Sequence, residues 1–436
     1  MVQEMFYKHI ENKFPELKTS KFLLACSGGI DSIVLAHLCA NTNLDFELAH
    51  CNFNLRAEES SKDAEFVQDL ANELNKKIHI TNFDTIGYVG LNKVSVQIAA
   101  RELRYEWFAK IQEENTIKYL VTAHHADDDL ETFIINLSRG TGIDGLKGIP
   151  SNTSNIKRPL LKFSQEQIMI FSQTHKLEWR EDQSNEDTKY LRNKIRHQIV
   201  PLLKELHPSF LDNFIKTQQY LEQTAAIAQN TIESVKENLF VPERGAIKIS
   251  IEKLQSLQPL KGYIHGLFKS YGFTEWENVA DLLTAMSGKE IHSDSHRLLK
   301  DRAYLLLAPL QKVLQETFNI LEDTSFIKEP ISIKIEAVVA LTKASLHTLY
   351  VDKEKLKYPL TIRKWKKGDY FYPFGMHGKK KLAKFFKDEK IDVLSKEKQW
   401  LLCSENQIVW VIGKRADNRF KVNSETKNIL KFDVVV

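Results

Sequence analysis

The sequence has few cysteines and no long hydrophobic run. No two of its four cysteines are spaced as Cys-x-x-Cys, which argues against a disulfide framework or a zinc site. No stretch approaches the roughly 20 apolar residues that span a bilayer. The beginning, Met1–Glu4, carries an early acid and is not followed by the apolar region of a signal peptide. We therefore predict a cytoplasmic protein with reduced thiols and no membrane association.

A strong charge of one sign is also missing, because the net charge is only +4. This permits a nucleic-acid partner without requiring one. The charge is unevenly distributed, since residues 363–390 contain ten Lys or Arg against three acids. The 436 residues are enough for two or three domains. Shifts in pattern place these domains at 1–207, 208–324 and 325–436.

The first domain alternates strand-like and helix-like segments, which predicts an α/β fold with a Rossmann-like parallel sheet. Its strands are expected near 22–26, 46–53, 77–83 and 119–123. Ligands bind beyond the carboxyl ends of such strands. Apolar residues at helical spacing from Leu211 to Leu239 predict one long helix and a mainly helical middle domain. Alternating β-branched segments after residue 325 predict a small α+β domain.

The stretch Ser27-Gly28-Gly29-Ile30-Asp31-Ser32 follows the first predicted strand and begins a helix. Two glycines let the backbone approach an anion, and the helix start presents free N–H groups to it. A carboxylate repels phosphate, so Asp31 indicates a divalent metal that bridges both. The Lys of a Walker loop is missing. The alternative is a structural turn with a Ser or Asp cap.

A second polar cluster, 122–132, follows the predicted strand at 119–123 and contains His124, Asp127, Asp128 and Glu131. Adjacent histidines on an extended strand point to opposite faces, which argues against a transition-metal site. Asp128 and Glu131 lie at i, i+3 and share a helix face. Two carboxylates there suit an ammonium-bearing substrate, or Mg²⁺ beside phosphate. The alternative is capping and helix-dipole compensation by acids in the first turn.

Basic side chains recur in three further segments. Arg101 and Arg104 share a helix face that could hold phosphate or pair with carboxylates. Arg192 and Arg196 lie on a helical basic face that could contact phosphates. The segment 363–390 interleaves lysines with aromatic residues, as an RNA-binding surface does. In each case the alternative is an ordinary solvated face.

These motifs resemble those of known enzyme families. The pattern S-G-G-x-D-S resembles the PP-loop of the N-type ATP pyrophosphatases, which split ATP into AMP and pyrophosphate while adenylating a substrate oxygen. Over nearly the whole chain, further motifs resemble the bacterial tRNA(Ile)-lysidine synthases. They are A-R-x-x-R-Y, A-H-H-x-D-D-x-x-E-T, R-G-x-G, R-P-L-L, S-N-x-D-x-x-Y-x-R-N-x-I-R and the later G-D, P-F-G-M and K-K-x-L.

The resemblance implies a tRNA-modifying ligase that uses ATP and Mg²⁺. Such an enzyme adenylates the wobble cytidine of tRNA(Ile) with a CAU anticodon and joins free L-lysine to it, forming lysidine with release of AMP and pyrophosphate. A homodimer is an open alternative to a monomer. The implied ATP-binding residues are Ser27, Gly28, Gly29, Ile30, Asp31, Ser32 and His124. The implied tRNA-binding residues are Arg192, Arg196, Arg363, Lys367, Lys379, Lys380 and Lys381.

The remaining roles follow from the same resemblance. Asp31, Arg104 and Asp127 are the expected catalytic residues, and Asp31 is also the expected Mg²⁺ ligand. Asp128 and Glu131 are expected to bind the ammonium groups of lysine.

Two other functions stay open from the residues alone. One is a PP-loop tRNA thiolase, but such enzymes usually need reactive cysteines, and Cys26 and Cys51 fall in predicted strands. The other is a non-catalytic RNA-binding protein, which would not need both Ser27–Ser32 and Asp127–Glu131.

Overall fold

The structure, a computed structural model, describes residues 2–55, 58–180, 191–243, 245–310, 317–342, 345–376 and 378–435. These residues form two compact units, 1–229 and 230–436, which are described separately below. The three domain boundaries predicted above stay a prediction.

The first unit is built on a five-stranded parallel sheet in the order β3-β2-β1-β4-β5. Its strands are β1 (Phe22–Ala25), β2 (Phe46–Asn52), β3 (Ile78–Asn82), β4 (Tyr119–Val121) and β5 (Ile156–Lys157). Its helices up to residue 205 are α1 (Val2–Lys13), α2 (Ile30–Asn41), α3 (Glu58–Glu73), α4 (Thr85–Asn92), α5 (Val96–Glu114), α6 (Ala126–Arg139), α7 (Ile143–Leu146), α8 (Gln165–Thr174), α9 (Leu191–Lys194) and α10 (Val200–Glu205). The predicted α/β fold is confirmed.

The strand order places two polar segments side by side. β1 pairs with β4 in parallel, so that Leu24 lies opposite Val121. The chain leaves β1 into Ser27–Ser32 and leaves β4 into the segment that begins α6. Because the strand order reverses between β1 and β4, a crevice forms at their carboxyl ends, where ligands of such sheets bind. Both predicted motifs therefore border one site.

A π-helical turn (Ile195–Ile199) joins α9 to α10, and α11 (Phe210–Leu239) then runs from the first unit into the second. The predicted long helix at 211–239 is thus confirmed. Beyond it, α12 (Ile251–Gln255), α13 (Leu260–Phe268) and α14 (Trp276–Leu282) accompany an antiparallel sheet, of which only the segment 296–307 has a strand-like sequence pattern. Its strands, in the order β6-β7-β10-β9-β8, are β6 (Phe240–Glu243), β7 (Ala246–Ser250), β8 (Glu290–His292), β9 (His296–Asp301) and β10 (Tyr304–Pro309).

The described residues of the C-terminal part form three antiparallel sheets and two α-helices, α15 (Leu382–Asp388) and α16 (Val393–Lys398), which agrees with the predicted α+β class. Its strands are β11 (Thr317–Ile320), β12 (Phe326–Ile327), β13 (Ile333–Val338), β14 (Thr348–Asp352), β15 (Leu360–Lys364), β16 (Tyr370–Phe371), β17 (Lys380–Lys381), β18 (Trp400–Ser404), β19 (Gln407–Val411), β20 (Arg415–Ala416) and β21 (Ile429–Val434). Among the described residues, no helix combines the length and apolar character needed to cross a bilayer.

Candidate active site

The Ser27–Ser32 loop has the geometry of an anion cradle. Gly28 has φ +90°, a left-handed conformation that favours glycine, and a Cβ there would lie 3.4 Å from Val67 Cγ2. Ser32 Oγ accepts from Ser27 N at 3.2 Å and donates to Gly29 O at 2.9 Å. The residue that caps α2 is Gly29, and it makes no side-chain cap hydrogen bond. The N–H groups at the start of α2 therefore have no capping side chain, which overturns the alternative of a Ser or Asp cap.

Asp31 lies in the first turn of α2, and its environment fits a cation. Its Oδ1 is buried and accepts no hydrogen bond from the described residues. Burial raises the pKa of Asp31 above its usual range, and although His125 and Arg196 oppose the shift, Asp128 adds to it. The described residues contain no group of three His, Cys, Asp or Glu arranged to hold a metal ion. One orphaned carboxylate oxygen beside a phosphate cradle is what Mg²⁺ uses when substrate phosphates and water complete its shell.

His125 lies between the acids of the two motifs. Its side chain is 2% exposed, and its Nε2 is 3.6 Å from Asp31 Oδ1 and 3.5 Å from Asp128 Oδ2. Its Nδ1 is 3.7 Å from Asp127 Oδ2. These separations exceed ordinary hydrogen bonds. The ring thus fills the space between the PP-loop and the start of α6, and it fixes where the carboxylates stand.

Asp128 and Glu131 form the acid pair, and two arginines bind it. Arg192 donates from Nε to Glu131 Oε2 at 2.7 Å and from NH2 to Asp128 Oδ1 at 2.9 Å. Arg196 donates from Nε to Glu131 Oε1 at 2.6 Å and from NH2 to Asp128 Oδ1 at 2.9 Å. Glu131 is 1% exposed, whereas the arginine side chains are 42% and 27% exposed. Two buried carboxylates are therefore neutralised by guanidinium groups that reach them from solvent.

The electrostatics of Asp128 follow from this arrangement. Burial alone would raise its pKa, but His125, Arg192, His124 and Arg196 together hold the pKa of Asp128 below its usual range. Its Oδ2 also accepts a hydrogen bond from the backbone N of His125 at 3.1 Å. Asp128 therefore caps α6 with Oδ2 and binds the two arginines with Oδ1. The alternative of helix capping is correct for Oδ2 and does not account for Oδ1.

Both carboxylate oxygens of Asp127 bind other residues of this chain. Its Oδ2 accepts from Gln165 N at 2.8 Å, and its Oδ1 forms an ion pair with Lys204. The residue is 2% exposed. These contacts tie the start of α6 to the start of α8 and to the last turn of α10. Its predicted catalytic role is not tested by this geometry and stays a prediction.

His124 lies near Asp128, whereas Arg104 lies beside the end of β2. His124 Nδ1 is 2.9 Å from Thr122 Oγ1, and burial lowers the pKa of His124 to about 4, so its ring is neutral at pH 7. Arg104 is exposed on α5, with its guanidinium 5.1 Å from the centroid of the Phe53 ring beyond β2. A cation–π contact holds the side chain while leaving its N–H donors available.

The basic residues of the second unit divide into two groups. Arg363 is paired with Asp369 at 2.8 and 2.9 Å, and Lys380 with Asp388 at 2.7 Å. Lys367, Lys379 and Lys381 are exposed. The ammonium of Lys379 also lies 5.0 Å from the centroid of the Tyr370 ring. The three exposed lysines are thus better placed to meet phosphate than the two paired residues, and all five tRNA assignments stay predictions.

All four thiols are free and poorly suited to nucleophilic chemistry. Burial raises the pKa of Cys51 to about 12 and that of Cys403 to about 11. Cys26 and Cys39 are fully buried, which also raises the pKa of each. A reactive cysteine needs a lowered pKa and some exposure. These environments argue against the thiolase alternative.

Sequence reasoning missed three side chains that organise this site. His125 appears in the sequence analysis only as part of a motif. Lys204 and His50, whose Nδ1 is 2.9 Å from Cys26 O, are not singled out there. Of the three, only His125 had a sequence signal, since alternation along the strand end places it opposite His124. The partners of Lys204 and His50 are distant in sequence.

Family models match segments of this chain from its first domain to its last. Residues 2–203 match the family model of the PP-loop domain, residues 242–310 that of the TilS substrate binding domain and residues 360–433 that of the TilS substrate C-terminal domain. A tRNA(Ile)-lysidine synthase of Parabacteroides distasonis is 37% identical to this chain over 414 residues, which are 94% of each protein. The chain belongs to the tRNA(Ile)-lysidine synthase family.

Other relatives extend the comparison. The tRNA(Ile)-lysidine synthase of Bacteroides thetaiotaomicron is 36% identical over 437 residues and covers both chains completely. Among solved structures, the U34-tRNA thiolase NcsA from Methanococcus maripaludis has a TM-score of 0.43 and 17% identity. It covers 51% of this chain and 80% of its own. A likeness at that level does not discriminate between functions.

Proposed function

We propose that this enzyme converts the wobble cytidine of tRNA(Ile) with a CAU anticodon to lysidine, using ATP and free L-lysine. The observation that carries the proposal is that a phosphate cradle and a buried acid pair end neighbouring strands and share His125 between them. One half suits a nucleotide triphosphate and the other a cationic second substrate. The family membership of the chain supports the same pairing.

In the first step, the 2-carbonyl oxygen of cytidine attacks the α-phosphate of ATP, and pyrophosphate leaves. The N–H groups at the start of α2 and the hydroxyl of Ser27 bind the departing phosphates. Asp31 would hold Mg²⁺ through its orphaned Oδ1, and the ion, when bound, neutralises phosphate charge. To Arg104, whose N–H donors remain available, we assign the stabilisation of the charge that develops at the transition state.

In the second step, the ε-amine of lysine attacks C2 of the adenylated base. A C–N bond forms, the bond from C2 to the adenylate oxygen breaks, AMP leaves, and the nitrogen that attacked as a neutral amine releases its surplus proton to water. Asp128 and Glu131 bind the cationic part of lysine and so fix the direction of attack. They are held by Arg192 and Arg196 in this structure, so lysine has to replace a guanidinium at one of the carboxylate oxygens.

Two buried residues act as positioning residues in this scheme. His125 keeps Asp31 and Asp128 apart, since its Nε2 stands within 3.6 Å of both. Asp127 anchors α6 through Lys204 and Gln165. In the second unit, Lys367, Lys379 and Lys381 bind the tRNA backbone electrostatically.

The reaction can be tested with the full chain, total tRNA, ATP, Mg²⁺ and radiolabelled lysine. We expect label in one tRNA species, and we expect it to survive mild base that cleaves aminoacyl esters. Release of AMP and pyrophosphate should match the label. Absence of base-stable label from every tRNA species would refute the proposed function.

A further inference from the structure

Arg158 is the first residue of the R-P-L-L motif, to which the proposed reaction gives no role. The residue follows β5 directly and is only 7% exposed. β5 pairs with β4 so that Lys157 lies opposite Val121, and Thr122 N donates to Lys157 O at 3.1 Å. Arg158 and Thr122 are the next residues, and they stand at the carboxyl ends of neighbouring strands. Arg158 therefore lies at the same edge of the sheet as the PP-loop and the acid pair.

The guanidinium group of Arg158 has donors that the described chain does not use. NH1 donates to Pro150 O at 2.7 Å. Nε is buried without an acceptor among the described residues, whereas NH2 also lacks an acceptor there but is not sealed from solvent. No carboxylate of the described residues forms an ion pair with Arg158. An unpaired charge at such a buried residue is costly, so we expect its counter-ion to come from a ligand.

The unused donors select a planar anion. Nε and NH2 form one edge of the guanidinium plane, and two oxygens of a carboxylate or a phosphate match the spacing of that edge. Arg192 and Arg196 use the same edge, because each donates from Nε and from NH2 to the acid pair. The chemistry of Arg158 thus fits a carboxylate or a phosphate, and its position in the sheet has to decide between them.

The position of Arg158 favours the carboxylate of lysine over a phosphate of ATP. β4 lies between β1 and β5, and adjacent strands are about 4.8 Å apart, so β5 is roughly 10 Å from the strand that leads into the PP-loop. Burial lowers the pKa of His124 to about 4, Asp128 opposes the shift, and Arg158 adds to it. Arg158 and Asp128 therefore act on the same ring. Arg158 is close to the acid pair, on the side away from the PP-loop.

Free lysine supplies the missing anion in the required arrangement. Its α-ammonium and its carboxylate are attached to the same carbon atom. When the acid pair binds the α-ammonium, the carboxylate needs a cation close by. The ε-amine is then at the far end of the side chain and can extend toward the PP-loop, where the adenylated base forms.

We propose that NH2 of Arg158, joined by Nε once lysine has displaced a guanidinium from the acid pair, binds the α-carboxylate of lysine. The acid pair binds the α-ammonium, and the ε-amine is left free to attack. The hydrogen bond from NH1 to Pro150 O holds the plane of the guanidinium. This inference rests on the proposed function and deepens it, because it makes the site select a free amino acid over a simple diamine.

The experiment compares L-lysine with cadaverine, which is lysine without its carboxylate. Equilibrium dialysis measures the binding of each amine to the full chain with a non-hydrolysable ATP analogue and Mg²⁺. The variants are Arg158→Met, Arg158→Lys and the control Lys162→Met, which removes an exposed charge. Arg158→Met should fold, because an apolar group replaces an unpaired buried charge and water can reach the exposed Pro150. Thermal unfolding, pyrophosphate release and lysidine formation are recorded for each protein.

We expect the wild type to bind lysine roughly 10- to 100-fold more tightly than cadaverine. Arg158→Met should remove this preference by weakening the binding of lysine and leaving that of cadaverine unchanged. Arg158→Lys should keep part of the preference, since an ammonium supplies the charge without the two-pronged edge. Lys162→Met should leave both affinities unchanged.

A wild type that binds both amines equally would overturn the inference. Equal weakening of both amines by Arg158→Met would also overturn it, because loss of a purely structural contact acts on both. Loss of pyrophosphate release with the preference for lysine intact would assign the guanidinium to phosphate instead. If Arg158→Met does not fold, Arg158→Lys decides, since a preference equal to that of the wild type contradicts the role of the two-pronged edge. Lysidine formation by the wild type tests the proposed function separately, because amine binding is measured without the reaction.

Discussion

Replacing Glu131 with Gln tests the acid pair most directly. Glu131 is 1% exposed and accepts from Arg192 Nε at 2.7 Å and from Arg196 at 2.6 and 3.2 Å. The substitution keeps the shape but removes the charge and turns an NH₂ group toward a guanidinium donor. A charge-assisted hydrogen bond contributes about 1.5–3 kcal/mol. Because water reaches the arginine side chains, we expect a loss of about 2 kcal/mol in the free energy of unfolding.

For a unit of this size, that loss lowers the melting temperature by about 4–8 °C. If the ammonium group of bound lysine lost the same interaction energy, lysine binding would weaken about 30-fold. The guanidinium groups of Arg192 and Arg196 compete with lysine for the acid pair, and the substitution weakens their binding as well. We therefore expect the KM for lysine to rise only about tenfold. The rate of pyrophosphate release before lysine is added should not change, because Glu131 does not contact the PP-loop residues.

The assay is single-turnover lysidine formation over a range of lysine concentrations, with differential scanning fluorimetry of each variant. Glu166→Gln, an exposed acid in the first turn of α8, is the matched control. A KM for lysine equal to that of the wild type would remove Glu131 from the lysine site. An unchanged melting temperature would refute the stabilising role assigned to its arginine contacts.

Three further predictions concern other parts of the chain. Asp31→Asn should abolish pyrophosphate release while leaving thermal stability equal or higher, because it removes a partly buried charge whose pKa is raised by burial; normal release at limiting Mg²⁺ would contradict the metal role. Replacing Lys367, Lys379 and Lys381 together with Ala should weaken tRNA binding and reduce the slope of log K against log salt by about 2–3, as measured by filter binding; an unchanged slope would exclude them as phosphate contacts. Burial raises the pKa of Asp129 to about 6. The folded state therefore binds its proton more tightly than the unfolded chain, and stability falls as the pH rises from about 4 through 6. Asp129→Asn should be more stable than the wild type at pH 7.5 by about 1–2 kcal/mol, and this difference should shrink toward pH 4. Thermal melts across this pH range measure the difference. A difference that does not change with pH would contradict the raised pKa of Asp129.

The parts of the fold that depend on local pattern were predictable. The alternation of apolar strands with amphipathic helices placed four of the five strands of the first sheet, and only the two-residue strand at Ile156–Lys157 had no signal. The regular apolar spacing of 211–239 likewise predicted α11 nearly to the residue. The sheet at 240–309 was largely missed, because its short strands lie between helices and carry little periodicity.

The sequence by itself determined the chemistry of each motif. Ser27–Ser32 follows a buried strand and begins a helix, and the type and spacing of its residues already predict a phosphate and a cation as ligands. Asp128 and Glu131 share a face because they are three positions apart on a helix. These are properties of a few consecutive residues, so no distant part of the chain is needed to state them.

Only the tertiary structure decided which of these charged groups pair with one another. Arg192 and Asp128 are 64 residues apart, and Lys204 and Asp127 are 77 apart, yet each pair is in contact. A basic helix face that the sequence suggests as an RNA surface therefore contacts the predicted lysine site, and its tRNA role stays a prediction. The pairing of buried charges depends on which side chains packing brings within hydrogen-bond distance, and desolvation then makes each pairing decisive. The spacing of residues along the chain carries no record of that distance.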